Sequence, residues 1–209
     1  MASATTVVYL SQERVTPGTG LEIYIPTDNR RLTAEAGNYI LNVNPTAPKS
    51  GILISGYCVD PSYSSQWFQE YTELPITTAL NTTSEPNGYA GFAAAAWIVS
   101  KGYTGTAAVT AQAAVWELTW DYVYGKPFDL SANNFRLYSS SSAETDVKNI
   151  YYAALEAVNH GFVPSAYVIY HNGQYQDFVA QHVPVPPSVL LMGSGLLGLG
   201  LLGYRRKRG

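Results

Sequence analysis

Gly51-Ile-Leu-Ile-Ser-Gly-Tyr-Cys-Val-Asp60 is an apolar run of strand length, and it holds the only cysteine of the 209-residue chain. Asp60-Pro61 closes it with a turn signal. Upstream, Thr6–Leu10 reads as a first strand and Leu21–Ile25 alternates large and polar residues. Tyr39–Val43 repeats that tendency after a break at Gly37-Asn38. Gly, Pro and Asn separate these segments at hairpin-like distances, so the first sixty residues predict an antiparallel sheet. A lone Cys58 has no internal disulfide partner. It is either a small core residue or a reactive thiol.

Beyond Asp60 the pattern changes. Gln66–Pro75 is aromatic and irregular, a further strand or loop. Gly91–Ser100 is rich in helix formers and stops before Gly102. Thr106–Tyr122 predicts a second helix, with Ala108, Gln112, Val115, Trp116 and Thr119 on one face by their three-and-four spacing. Its alanines (Ala107, Ala111, Ala113, Ala114) keep it slim enough for another backbone to approach closely. Ser141-Ser-Ala-Glu144 has the form of a capping box, and Val147, Ile150, Tyr151, Ala154, Leu155 and Val158 continue it at helical spacing until Gly161 and Pro164. Ala166–Tyr170 and Tyr175–Val179 flank His171-Asn-Gly-Gln174, whose Asn-Gly centre favours a tight hairpin. Strands, then helices, then a returning hairpin predict an α+β fold: an antiparallel sheet or barrel with an inserted helical subdomain. That body spans 1–181, and 182–209 form an appendage.

Composition narrows the function classes. Charged residues make up 13%, about half the usual share, while 17 Tyr and 18 Gly are abundant. A nucleic-acid binder would show a basic stripe, and none is present. Four of the twelve basic residues, Arg205, Arg206, Lys207 and Arg208, sit at the extreme C-terminus, which leaves the rest of the chain acidic. An acidic body rich in Tyr, Ser, Thr and Gly suits a position outside the cytoplasm. Val183-Pro-Val-Pro-Pro187 is a stiff spacer. From Val183 to Tyr204 run 22 uncharged residues, dominated by Leu and Gly. Roughly twenty suffice to span a bilayer, so a transmembrane helix is expected over about 187–204, with the basic cluster on the cytoplasmic side.

The order of spacer, apolar Gly/Leu run and arginine cluster resembles the PEP-CTERM sorting signal of Gram-negative bacteria. Val183, Pro184 and Pro186 carry the first part, Gly193–Leu199 the second and Arg205–Arg208 the third. Val185 stands where the family usually has glutamate. The resemblance covers the last 27 residues. It implies a precursor tethered to the inner membrane with its body outside, cut near Val183–Pro187 by an exosortase-type sorting protease. The mature form is then expected at the cell surface or in a biofilm matrix. Met1–Leu10 lacks the charged and long apolar regions of a signal peptide, which such substrates normally have, and this points to a mis-assigned start codon.

Tyr57-Cys58-Val59 at a strand end and Ala111-Gln112 followed by Val115-Trp116 on a helix resemble the two motifs of bacterial thioester domains. Those motifs are an aromatic-Cys-aliphatic tripeptide and a glutamine followed by an aliphatic-aromatic pair. Ala111 departs from the Thr, Ser or Gln common before that glutamine. The resemblance spans Leu21–Val179 and implies a thioester between Cys58 and Gln112. Such a bond acylates an amine or hydroxyl of a surface protein or polysaccharide once, without turnover, so the chain is not expected to be an enzyme in the ordinary sense. Tyr57, Trp97 and Trp116 are candidates to cover the bond, and equally explicable as core.

His160, His171 and His182 lack metal-ligand spacing, and no phosphate loop, nucleophile elbow or zinc motif occurs. No cofactor or metal is expected. Glu117 and Asp121 lie four apart on a helix, where such pairs usually form a solvated face. Two readings stay open: a covalent adhesin, or a non-covalent exopolysaccharide- or matrix-binding protein with an inert buried Cys58. A glycosidase or peptidase is a third, more distant one.

Overall fold

Thr6–Leu10 and Leu21–Ile25 are two ends of one strand. In the computed structural model, which describes residues 6–25, 29–44, 51–64, 68–76, 88–122, 127–132, 134–138 and 141–184, β1 runs Thr6–Ile25 and pairs antiparallel with β2, Arg30–Asn44. Their ladder shifts register between Gln12 and Arg14 and again between Thr16 and Thr19. At the second irregularity Gly37 has φ +154, and a Cβ there would lie 2.8 Å from the Thr16 carbonyl oxygen. The Gly37-Asn38 break is thus no strand end: Pro17 and Gly18 of β1 stand opposite the single Gly37, a bulge in β1 that bends the ribbon.

The bent ribbon closes a ring. β3 (Ile52–Cys58), β4 (Gln69–Pro75), β6 (Tyr167–His171) and β7 (Phe178–Gln181) join it in the order β2-β3-β7-β6-β4-β1, and β1 returns to β2. All these pairings are antiparallel. The expected sheet or barrel is therefore a closed six-stranded ring, with the two-residue β5 (Arg136–Leu137) attached along β1. Buried Tyr39 and Tyr71 both pack on the Phe178 ring, at centroid distances of 5.4 and 6.3 Å.

The returning hairpin differs from the tight turn predicted at Asn172-Gly173. Its second strand starts at Phe178, so 172–177 is a six-residue loop. Side chains explain this. Asp177 accepts the Asn172 N–H at 2.8 Å and pairs with His171 Nδ1 at 2.6 Å, while Asn172 Oδ1 accepts the Gln174 N–H at 3.0 Å. These local bonds outcompete the two-residue turn.

Among the described residues three helices lie between β4 and β6 in the chain: α1 (Gly88–Lys101), α2 (Thr106–Trp120) and α3 (Ser141–Asn159). The last ends in a Schellman motif, with Gly161 at φ +91 and the Phe162 N–H donating to the Ala157 carbonyl at 2.9 Å. α2 was expected to bury one face. It is buried on every side from Ala111 to Thr119, because β1, β2 and β3 pack on one flank while α1 and α3 pack on others. The slim surface predicted from its alanines is used by α1: a Cβ on Gly91 would stand 2.3 Å from the Leu118 carbonyl oxygen. Gly91→Ala is therefore expected to destabilise the fold by about 1–3 kcal/mol, the cost of overpacking, as a lowered urea midpoint with an unchanged slope.

Among the described residues no helix is long and apolar enough to cross a membrane. The expected tail helix (about 187–204), Pro186 and the Arg205–Arg208 cluster lie outside the described residues. Val183 and Pro184 lie within them. Val183 is 5% exposed and packs into the core, so the body extends to this residue, past the boundary at 181.

Candidate functional site around Cys58 and Gln112

Strand pairing explains why a glutamine is buried beside the cysteine. Val59 donates its N–H to the Asp177 carbonyl at 2.9 Å, so the Val59 main chain points toward β7. Antiparallel ladders alternate, so the N–H and C=O of Cys58, opposite Phe178, point the other way, toward β2. There β2 is no longer a partner: its ladder with β3 ends at Tyr39↔Gly56, and the residue in register with Cys58 would be Gly37, which faces the bulge in β1. The Gln112 carboxamide fills the gap. Its Oε1 accepts the Cys58 N–H at 3.0 Å, and its Nε2 donates to the Cys58 carbonyl at 2.7 Å. Both residues are fully buried, so each main-chain group would otherwise be an orphan costing about 1–3 kcal/mol.

The same helix face clasps the next residue. Thr119 Oγ1 and Trp120 Nε1 both donate to the Val59 carbonyl, at 3.2 and 2.8 Å. They lie seven and eight positions after Gln112, two helical turns along. The sequence reading placed Thr119 on this face but missed Trp120, whose spacing from Gln112 was the available signal.

The thiol itself sits in a dry environment. Burial raises the Cys58 pKa well above its ordinary value, and the Trp116 indole opposes this by favouring the thiolate. Trp116 Nε1 is buried without a hydrogen-bond partner, and its ring packs on Phe135 at 5.7 Å. Of the three aromatic residues expected to cover the pair, Trp116 is the one brought to it. Tyr57 alternates to the other face of β3, where burial and then Tyr103 raise its pKa. Trp97 is half-buried on α1, with Lys101 Nζ 4.4 Å from its ring centroid.

Two acids in the neighbourhood correct an expectation. Glu117 and Asp121 are 2% and 8% exposed, so they do not form a solvated face. Asp121 accepts the main-chain N–H groups of Asn134 and Phe135 at 2.8 and 2.7 Å. Glu117 has only a 3.4 Å bond from the Asp129 N–H, and its second oxygen has no partner. Burial, then the Asp121 carboxylate, pushes its pKa up to about 8. Among the described residues no three His, Cys, Asp or Glu side chains are grouped to hold a metal ion.

Searches against protein-family models, curated proteins and solved structures returned no match to this chain.

Proposed function

We propose that the chain is an exported surface or biofilm-matrix protein whose body forms an internal Cys58–Gln112 thioester and uses it to attach covalently to a partner. The carboxamide docked on the main chain of Cys58 carries this reading. The oxygen that would gain negative charge on thiol attack, Gln112 Oε1, already accepts the Cys58 N–H, as an oxyanion donor requires. Holding the carboxamide against the residue that bears the thiol supplies proximity that an ordinary amide and thiol lack in water.

The step balances without a co-reactant. The Cys58 sulfur bonds to the Gln112 carboxamide carbon, the C–N bond breaks, and the thiol proton leaves with nitrogen as ammonia. An acceptor amine or hydroxyl then bonds to the same carbon, the C–S bond breaks, and the acceptor's proton returns to sulfur. The dry site that disfavours the Cys58 thiolate favours the neutral acyl form and keeps water from it. The PEP-CTERM-like tail supplies the setting in this reading. The precursor is held in the inner membrane with the body outside, released by an exosortase-type protease, and its target is a surface protein or polysaccharide.

A second reading has an observation of its own. Gln112 is fully explained as a substitute for the missing β2 partner, with no reaction needed, which suits a non-covalent matrix protein with an inert Cys58. Intact mass decides between them. The thioester form is expected one ammonia lighter than the sequence mass, inert to iodoacetamide, and restored in thiol reactivity by methylamine. Full sequence mass together with an alkylatable Cys58 in the unfolded protein would sink the covalent reading.

A further inference from the structure

A cleft of about 490 Å³ opens beside the Cys58 strand end. Its walls come from three places: the start of β2 and the nearby Gln12 of β1, the Pro61–Ser64 turn that follows Cys58, and residues 174–176 of the β6–β7 loop. The two loops are held together, with the Gln176 N–H donating to the Ser64 carbonyl at 3.4 Å. Asp60 shapes the first loop by accepting the N–H and hydroxyl of Ser62, at 2.9 and 2.5 Å.

The cleft is adjacent to the Cys58 site through two residues. Tyr39, part of its lining, packs on Phe178, which lies directly opposite Cys58. Gln176 precedes Asp177, whose carbonyl holds the Val59 N–H. Its chemistry is neutral and hydroxyl-seeking. Gln12, Gln174 and Gln176 present planar amides, while Tyr63 and Tyr175 present half-exposed or exposed rings with polar tips. Among the described residues, the only charged ones lining it, Arg30 and Glu35, have opposite signs. Flat aromatic faces among amide donors and acceptors match the alternating C–H and O–H faces of a pyranose ring. They match neither a phosphate nor an acidic chain, which would need an excess of cations.

We infer that this cleft is a binding subsite for a neutral saccharide segment, held beside the strand end that carries the buried Cys58–Gln112 pair. The subsite does not rest on the thioester reading.

The test uses the full body carrying Cys58→Ala, so that binding is read without covalent capture. Isothermal titration is performed with three probes: cellohexaose, dextran, and the anionic polysaccharide alginate. Saturable binding of at least one neutral probe is expected, with alginate weaker. Tyr63→Ala combined with Tyr175→Ala should weaken binding by about tenfold or more, as loss of aromatic contact does, at an unchanged melting temperature. Absence of binding to both neutral probes, preference for alginate, or binding that survives the double substitution each overturns the subsite. Intact mass of the wild-type chain is measured separately. Sugar binding with no loss of ammonia keeps the subsite and removes the acyl transfer, whereas loss of ammonia with no sugar binding does the reverse.

Discussion

Gln112→Ala is expected to destabilise the protein by on the order of 4 kcal/mol, enough to threaten folding of a domain of this size. The substitution leaves the Cys58 N–H and C=O buried without partners, at about 1–3 kcal/mol each, and opens a cavity in a fully buried helix. Gln112→Glu sharpens the test. A glutamate oxygen still accepts the Cys58 N–H, but the second oxygen faces the Cys58 carbonyl, so that bond survives only when the carboxyl is protonated. The Glu variant should therefore be far more stable in mild acid than at neutral pH, relative to wild type. Urea unfolding at both pH values checks this, and a Gln112→Ala variant within about 1 kcal/mol of wild type would show that the clasp on Cys58 is not a structural requirement.

Glu117 sets the second large effect. Its ordinary pKa of 4.5 is that of the unfolded chain, and the folded value is about 8. The folded state thus binds a proton that the unfolded state releases, and stability falls as pH rises from about 4.5 to about 8, then levels off. The slope approaches about 1.4 kcal/mol per pH unit where this group dominates. Glu117→Gln keeps the neutral form at every pH. It is expected to remove that decline, gaining on the order of 5 kcal/mol over wild type at about pH 9 relative to the difference at about pH 4. The wild-type-minus-variant difference cancels contributions from His171 and Glu73, which titrate in both proteins, and it includes the coupling of Glu117 to Asp121. Parallel stability curves for the two would mean that Glu117 is solvated.

The main elements were legible because their signals are local. Gly102 and Gly161 mark helix ends through backbone chemistry that needs no partner. The antiparallel character of the first sixty residues followed from turn residues at short spacing. Ring closure was not legible, because it depends on β1 being one strand that bulges at Pro17-Gly18 opposite Gly37 of β2, and a Pro-Gly pair in sequence looks the same at a bulge and at a break. The hairpin at Asn172 was misread for a related reason: Asn172 Oδ1 captures the Gln174 N–H that a tight turn would have used, and Asp177, five residues along, holds the Asn172 N–H. At the site, the pairing of Cys58 with Gln112 was suggested by motif resemblance. The physical reason for it, a strand position orphaned where the β2–β3 ladder stops at Tyr39↔Gly56, appears only once the register is known. Glu117 was misjudged because helical spacing shows which residues share a face, but not that a helix is enclosed from all directions.

The ladder between β3 and β7 has a mechanical meaning. Cys58 ends β3 opposite Phe178, the first residue of β7, and β7 runs on through Gln181 to the buried Val183. For a protein tethered through its tail and loaded at Cys58–Val59, by way of the α2 side chains that grip them, tension enters at one end of β3 and leaves at the far end of β7. The two strands are then drawn past each other lengthwise, so their cross-strand bonds share the load and do not open one after another. The route from grip to tether crosses one strand interface and bypasses the rest of the ring.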